Sequence, residues 1–260
     1  MSARWQQGLN HLYGEETVTR FRQARVVVAG LGGVGSWAAE ALARTGVGEI
    51  HLIDPDVLVE SNINRQLTAL HSTLGRDKIA VLAERLRDIQ PQIRVVLHDE
   101  FLSRDNIDRL LTATPHLLLD CSDDLDAKRS MVLWCRRRRI PLVVAGAAGG
   151  KRDPGQLRVA DLAHTERDPL LAKLRRELRR HHHFPKTPGE KFHVACVYSQ
   201  ESLQRPTDCV RGDLSCSGMG SAVVVTSTMA MLAVAEGLRL MDWRMQLAAQ
   251  RQGCATTHET

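Results

Sequence analysis

Two cations and an acid, Arg65, Lys78 and Asp123, carry the clearest chemistry in this sequence. Arginine is a forked donor to phosphate oxygens, lysine a point charge, and a carboxylate facing a triphosphate is a natural ligand for Mg2+. These three are therefore the candidate catalytic residues, with Asp123 as the metal ligand. Upstream, Gly30, Gly32, Gly33 and Gly35 form a cluster without side chains, which lets a backbone loop approach a phosphate. Asp54, 19 residues beyond Gly35, has the spacing of an acid that accepts hydrogen bonds from ribose hydroxyls. Asn62, Arg65 and Gln66 sit in a polar turn, and Ser122 stands beside Asp123; with the glycines, Asp54 and Lys78 they make up the candidate nucleotide-binding set. Other readings of the same residues stay open. Asp54 equally suits the ribose of NAD in an oxidoreductase, and Asp123, Asp124 and Asp126 also complement a helix dipole.

The surrounding pattern supplies the elements that must hold these residues. An apolar run at 26–29 enters the glycine cluster, an alanine-rich helix follows, and a second apolar run at 50–53 ends on Asp54, which together make a βαβ unit. Lys78 opens a helix with Asp77 as its N-cap and Ile79, Leu82, Leu86 and Ile89 at helical spacing, and Pro91 stops it. Strands are predicted at 94–98, 117–119, 142–145 and 156–160, with a short helix capped by Ser103 and a longer one through Met131 and Trp134. The 117–119 strand delivers Asp120, Ser122 and Asp123 at its carboxyl end, where ligands of open α/β sheets bind. The predicted class is α/β: a Rossmann-like fold with a mostly parallel central sheet flanked by helices. A C-terminal segment with a crossing loop and a buried helix extends it. The expected organisation is a lead-in at 1–24 anchored by Leu12, Tyr13 and Phe21, and a nucleotide-binding core at 25–160. Residues 161–243 continue the same domain, and 244–260 form a flexible tail. A basic amphipathic helix at 169–180 leads into a flexible loop, 181–192, placed to lie over the active site.

Composition sets limits. A chain of 260 residues with 43% hydrophobic and 25% charged content is long enough for one large domain with a substantial core. Aromatic content of 4% leaves no visible base-stacking surface. The net charge of +5 concentrates at 136–139 and 173–180, which suits a polyanion such as RNA or, equally, a solvated helix face. The six cysteines include no CxxC pair, so a zinc site of paired CxxC motifs is excluded and free thiols in a cytoplasmic setting are expected. Cys196 and Cys216 are candidate reactive thiols or small core residues. Residues 214–235 carry no charge and are long enough to raise membrane association, but their serines and threonines favour a helix buried in the core or at a dimer interface.

The series GxGGxG, Asp54, SNxxRQ at 61–66, Lys78 and DxxD at 120–123 resembles the superfamily of ubiquitin-activating-enzyme-like adenylyltransferases. The resemblance implies carboxylate activation by MgATP, with Asp54 on the ribose, Arg65 and Lys78 on the phosphates and Asp123 on the metal. The GAAGGKRDPGQ stretch, CVYSQE at 196–201, CSGMG at 216–220 and LYG at 12–14 are similar to the tRNA threonylcarbamoyladenosine dehydratase branch. That branch implies a tRNA substrate carrying threonylcarbamoyladenosine, whose threonyl carboxylate is adenylated and closed to a hydantoin ring with release of AMP and pyrophosphate. It further implies a homodimer and a cysteine desulfurase system as a partner. Branch members commonly carry arginine where this chain has His11, which puts in doubt the completion of the site by an N-terminal arginine across subunits. The sister activity is adenylation of a ubiquitin-like sulfur carrier; members of those branches usually carry two CxxC motifs, which this chain lacks.

Overall fold

Alternating exposure to two helical layers explains why the strands are near-continuous apolar runs: both faces of the sheet are covered. The computed structural model describes residues 4–203 and 219–256. Its strands are β1 (Arg25–Ala29), β2 (Glu49–Ile53), β3 (Arg94–His98), β4 (Leu117–Asp120), β5 (Leu142–Ala145), β6 (Leu157–Asp161) and β7 (Ala195–Ser199). They form one sheet in the order β3-β2-β1-β4-β5-β7-β6, parallel throughout except for β6 against β7. The helices are α1 (Arg4–Tyr13), α2 (Glu15–Gln23), α3 (Gly35–Arg44), α4 (Lys78–Ile89), α5 (Ile107–Leu110), α6 (Leu125–Arg138), α7 (Pro169–His181) and α8 (Val223–Thr256).

Val26 and Val28 face a core shared with Leu42 of α3, Leu82 of α4 and Met229 of α8. Val27 and Ala29, one residue out of phase, face Met131 and Trp134 of α6 and Leu174 of α7. The period-two alternation of one strand thus serves two cores. α8 lies close on the sheet because Gly237 has no side chain; a Cβ there would come within 2.7 Å of Leu117 Cδ2.

One buried ion pair ties the second layer to the sheet. Lys128 Nζ donates to Asp120 Oδ1 at 3.1 Å and to the Ala145 carbonyl at 2.8 Å, and both side chains are fully buried. It links α6 to the carboxyl ends of β4 and β5, beside the residues that Asp120 introduces.

Several expectations need correction. Of the expected anchors Phe21 is buried, but Leu12 is 74% exposed and the half-exposed Tyr13 only sets its ring against Phe21 at 5.5 Å; Val18 is the second buried anchor. Asn106, not Ser103, precedes α5; its Oδ1 accepts from Ser103 N at 2.7 Å. β7 is a strand at a stretch where the sequence pattern predicts none. The 181–192 loop is fixed by Phe184 and Phe192, which are buried with ring centroids 5.0 Å apart. α8 continues beyond Trp243 to Thr256, through residues of good helix propensity, where the sequence suggests a flexible tail. α8 is long and apolar enough to cross a membrane by composition, yet Val225, Met229, Ala233 and Met241 are buried in the protein's own core.

Breaking a buried pair strands a charge. Lys128→Met is expected to cost about 3 to 5 kcal/mol in urea unfolding, and adding Asp120→Leu should recover most of it. At the start of β2, burial lifts the Glu49 carboxyl, but hydrogen bonds from Arg25 and His51 outweigh it and set its pKa to about 2. That stability is present above the ordinary carboxylate pKa and is lost as pH falls toward 2. The unfolding free-energy difference between the parent and Glu49→Gln, on the order of 1 to 2 kcal/mol, should therefore narrow between pH 5 and pH 3.

Candidate active site

β1 and β4 are neighbours in the sheet although β2 and β3 lie between them in sequence, so the chain leaves β1 and β4 in opposite directions. This is the topological switch point of the sheet, where a crevice opens. A cleft of about 880 Å³ lies there, within the size range of small-molecule sites. Gly30, at φ +83°, turns the chain out of β1, and a Cβ on it would meet Ser122 N at 2.8 Å. A Cβ on Gly35 would lie 1.8 Å from the Gly30 carbonyl oxygen. Neither position tolerates a side chain without moving the loop. α3 begins immediately after, and its N-cap residue Val34 makes no side-chain capping bond, which leaves backbone amides available to an anion.

Asp54, at the end of β2, is fixed by two backbone donors: Leu31 N to Oδ2 at 2.6 Å and Asp56 N to Oδ1 at 2.9 Å. Burial pushes its carboxyl above the usual range, against the pull of these bonds and of Lys78. Lys78 Nζ stands 2.7 Å from Asp56 Oδ2 and 3.7 Å from Asp54 Oδ1. Asn62 and Gln66 are buried; the Asn62 carbonyl accepts from Arg65 N and Gln66 N, which shapes the turn, and among the described residues Gln66 Oε1 has no partner. Arg65 Nη1 donates to the Ser61 carbonyl at 2.6 Å and to Asn64 Oδ1 at 2.9 Å, and the Arg65 carbonyl accepts from Trp37 Nε1. Across the cleft, Ser122 donates through N and Oγ to Asp120 Oδ1, while Asp124 caps α6 through Ala127 N. Asp123 is exposed between them, and among the described residues no cation pairs with it.

Every candidate nucleotide-site residue except Gly35 therefore lines one cleft, and Gly35 sits directly behind Gly30. The thiols do not join them. Cys196 is fully buried in β7, and burial pushes its thiol well above the ordinary range; Cys216 lies outside the described residues. Cys121 lines the cleft, but burial pushes its thiol up to about 12. No residue of the 181–192 loop reaches the cleft. Nor do Arg4, Arg20 or Arg22: Arg20 pairs with Asp242 of α8 at 2.6 Å and Arg22 bonds Gln6. What the sequence reading missed is the outer wall, formed by 100–105, 145–149, Arg129, Leu170, Ser221 and Thr226. Asp168, also missed, caps α7 through Leu171 N and accepts from Ala147 N at 2.8 Å, so it holds the 145–149 wall. Its only sequence signal is an acid immediately before Pro169.

Comparison with known proteins agrees with this geometry. The profile of the ThiF family matches residues 6–258. The tRNA threonylcarbamoyladenosine dehydratase of Escherichia coli is 42% identical, over 97% of this chain and 98% of that protein. The protein of the same name from Haemophilus influenzae is 40% identical, over 87% and 89%. Crystal structures of the Escherichia coli enzyme in complex with ATP and with AMP superpose with a TM-score of 0.86, covering 96% of this chain and 98% of theirs. The chain belongs to the ThiF family, within which it falls among the tRNA threonylcarbamoyladenosine dehydratases.

Proposed function

We propose that the protein dehydrates threonylcarbamoyladenosine next to the anticodon of tRNA, at the expense of ATP. The threonyl carboxylate is adenylated with loss of pyrophosphate, and the carbamoyl nitrogen of the same side chain then attacks the activated carbonyl, closing a hydantoin and releasing AMP. The observation that carries the reading is the convergence on one cleft of the glycine loop, the buried Asp54, the cations Arg65 and Lys78 and the exposed Asp123. The oxygen lost as water needs a better leaving group, which the adenylate supplies; ring closure is intramolecular, so proximity does much of the second step.

In this reading the free amides at the start of α3 bind phosphate, and Asp54, already positioned by Leu31 N and Asp56 N, accepts the ribose hydroxyls. Arg65 and Lys78 neutralise charge developing on the pyrophosphate, Lys78 exchanging Asp56 for a phosphate oxygen. Mg2+ fits the donor set: Asp123 is an exposed carboxylate lining the cleft, and this ion is commonly held by one or two carboxylates plus substrate phosphates. Asp123 is the carboxylate that would hold it, and the ion would supply charge neutralisation at the reacting phosphate. No thiol is required, because the nucleophile belongs to the substrate.

A homodimer fits the outward side chains of α8 and α1, Val224, Met231, Trp243, Trp5 and Leu12, which are exposed. A cysteine desulfurase partner rests on family resemblance alone. The seating of α8 in the core speaks against its use as a membrane span, and the proposed location is cytoplasmic.

Asp123→Ala and Arg65→Ala should each lower tRNA-dependent ATP–pyrophosphate exchange by about 10²- to 10³-fold without changing the circular dichroism spectrum. Gly35→Ala should abolish ATP binding in calorimetry, and Cys196→Ala should leave nucleoside conversion intact. Full activity in the Asp123 variant would overturn the site assignment.

A further inference from the structure

We propose that the exposed basic groove along α7, carrying Arg176, Arg180 and Lys186, receives the phosphate backbone of the RNA whose modified nucleoside enters the cleft; this rests on the tRNA reading above. The groove, about 390 Å³, is lined by Ala172, Arg175, Arg176, Arg179, Arg180 and Lys186, and no acid is among them.

Its position follows from how α7 is anchored. Asp168 caps the helix and in the same contact holds Ala147 in the cleft wall, and Leu170 of the first turn lines the cleft. α7 thus starts at the site and leads away from it for 13 residues, about 20 Å. The groove lies on the same helix whose first turn lines the cleft, within about 20 Å of it along the axis, a span that the backbone flanking a nucleoside in the cleft can cover.

The charges divide into two kinds. Arg175 donates to the carbonyls of Leu162 and Thr165, and Arg179 donates to the Pro185 carbonyl with its guanidinium 5.2 Å from the Phe192 ring centroid. These two build the groove. Arg176, Arg180 and Lys186 are exposed, and among the described residues no acid pairs with any of them. The one acid of α7, Glu177, turns toward Arg129 of α6 at 4.0 Å and His181 at 3.8 Å. The phosphate-facing charge is therefore uncompensated.

The groove chemistry selects the partner. A protein interface needs apolar anchors at its centre and a membrane surface needs an inserted apolar face, whereas only Ala172 is apolar here. Forked donors in series fit a chain of phosphates, which positions a nucleic acid without reading its bases.

The test uses the full-length protein and tRNA bearing threonylcarbamoyladenosine. Affinity is measured by fluorescence anisotropy over a salt series for the parent, for Arg176→Ala/Arg180→Ala/Lys186→Ala, and for Arg137→Ala in the other basic run. The triple variant should bind about tenfold or more weakly, with its log–log salt slope reduced by about 2. Its KM for tRNA should rise while its KM for ATP stays within about twofold of the parent, as both do in Arg137→Ala. Unchanged tRNA affinity and slope in the triple variant, beside a parent that converts tRNA, would overturn the surface alone. Loss confined to an acidic protein partner, with tRNA binding intact, would overturn it equally. A parent that binds no tRNA would overturn the surface and the substrate reading together.

Discussion

The passage of three backbone segments within contact distance at Gly30, Gly35 and Cys121 is the constraint on which the rest of the molecule depends. With a Cβ on Gly35 only 1.8 Å from the Gly30 oxygen, the first turn of α3 can sit against the end of β1 only if that position is glycine. The same proximity brings Cys121 and Ser122, at the end of β4, against the loop. Asp54 Oδ2 then accepts from Leu31 N, so the acid at the end of β2 and the loop after β1 fix each other. Three strand ends, brought together at the switch point, define one cleft, with the Asp54 carboxylate tying the end of β2 to the loop after β1.

Charge buried behind the cleft holds its second wall. The Lys128–Asp120 pair joins α6 to β4 and β5, and Asp168 joins α7 to the 145–149 loop. Burial lifts both the Asp120 and Asp168 carboxyls, and each is retained by hydrogen bonds that satisfy backbone or lysine donors. Such groups add little net stability compared with apolar packing, but they fix the angle at which helices meet strand ends. Asp168 thus connects the 145–149 wall directly to the first turn of α7.

Much of this was legible in the sequence because the information is local. The glycine spacing, the acid 19 residues later and the Lys78 helix start are each set within a βαβ or strand–helix unit, and all of them reach the cleft. What was not legible depends on long-range packing. β7 lies between β5 and β6, and its Cys196 reads as a candidate thiol until the pairing of Val144 with Cys196 places it in the sheet. Leu12 looks like an anchor beside Phe21 until packing leaves it exposed and buries Val18 in its place. The loop holding Phe184 and Phe192 is polar in composition, and only its two aromatics show that it belongs to the core rather than over the site. Residue type and position point Arg65 and Lys78 to phosphate and Asp123 to a metal, and the resemblance to adenylyltransferases implies the same roles, whereas spacing alone leaves Asp54 open to a dinucleotide cofactor.

Nucleoside mass analysis of tRNA bearing threonylcarbamoyladenosine, after incubation with the protein and MgATP, tests the account most directly. Loss of one water from that nucleoside, dependent on ATP and accompanied by AMP, is the predicted result. An unchanged nucleoside, with ATP consumed only when a small sulfur-carrier protein is supplied, would contradict it.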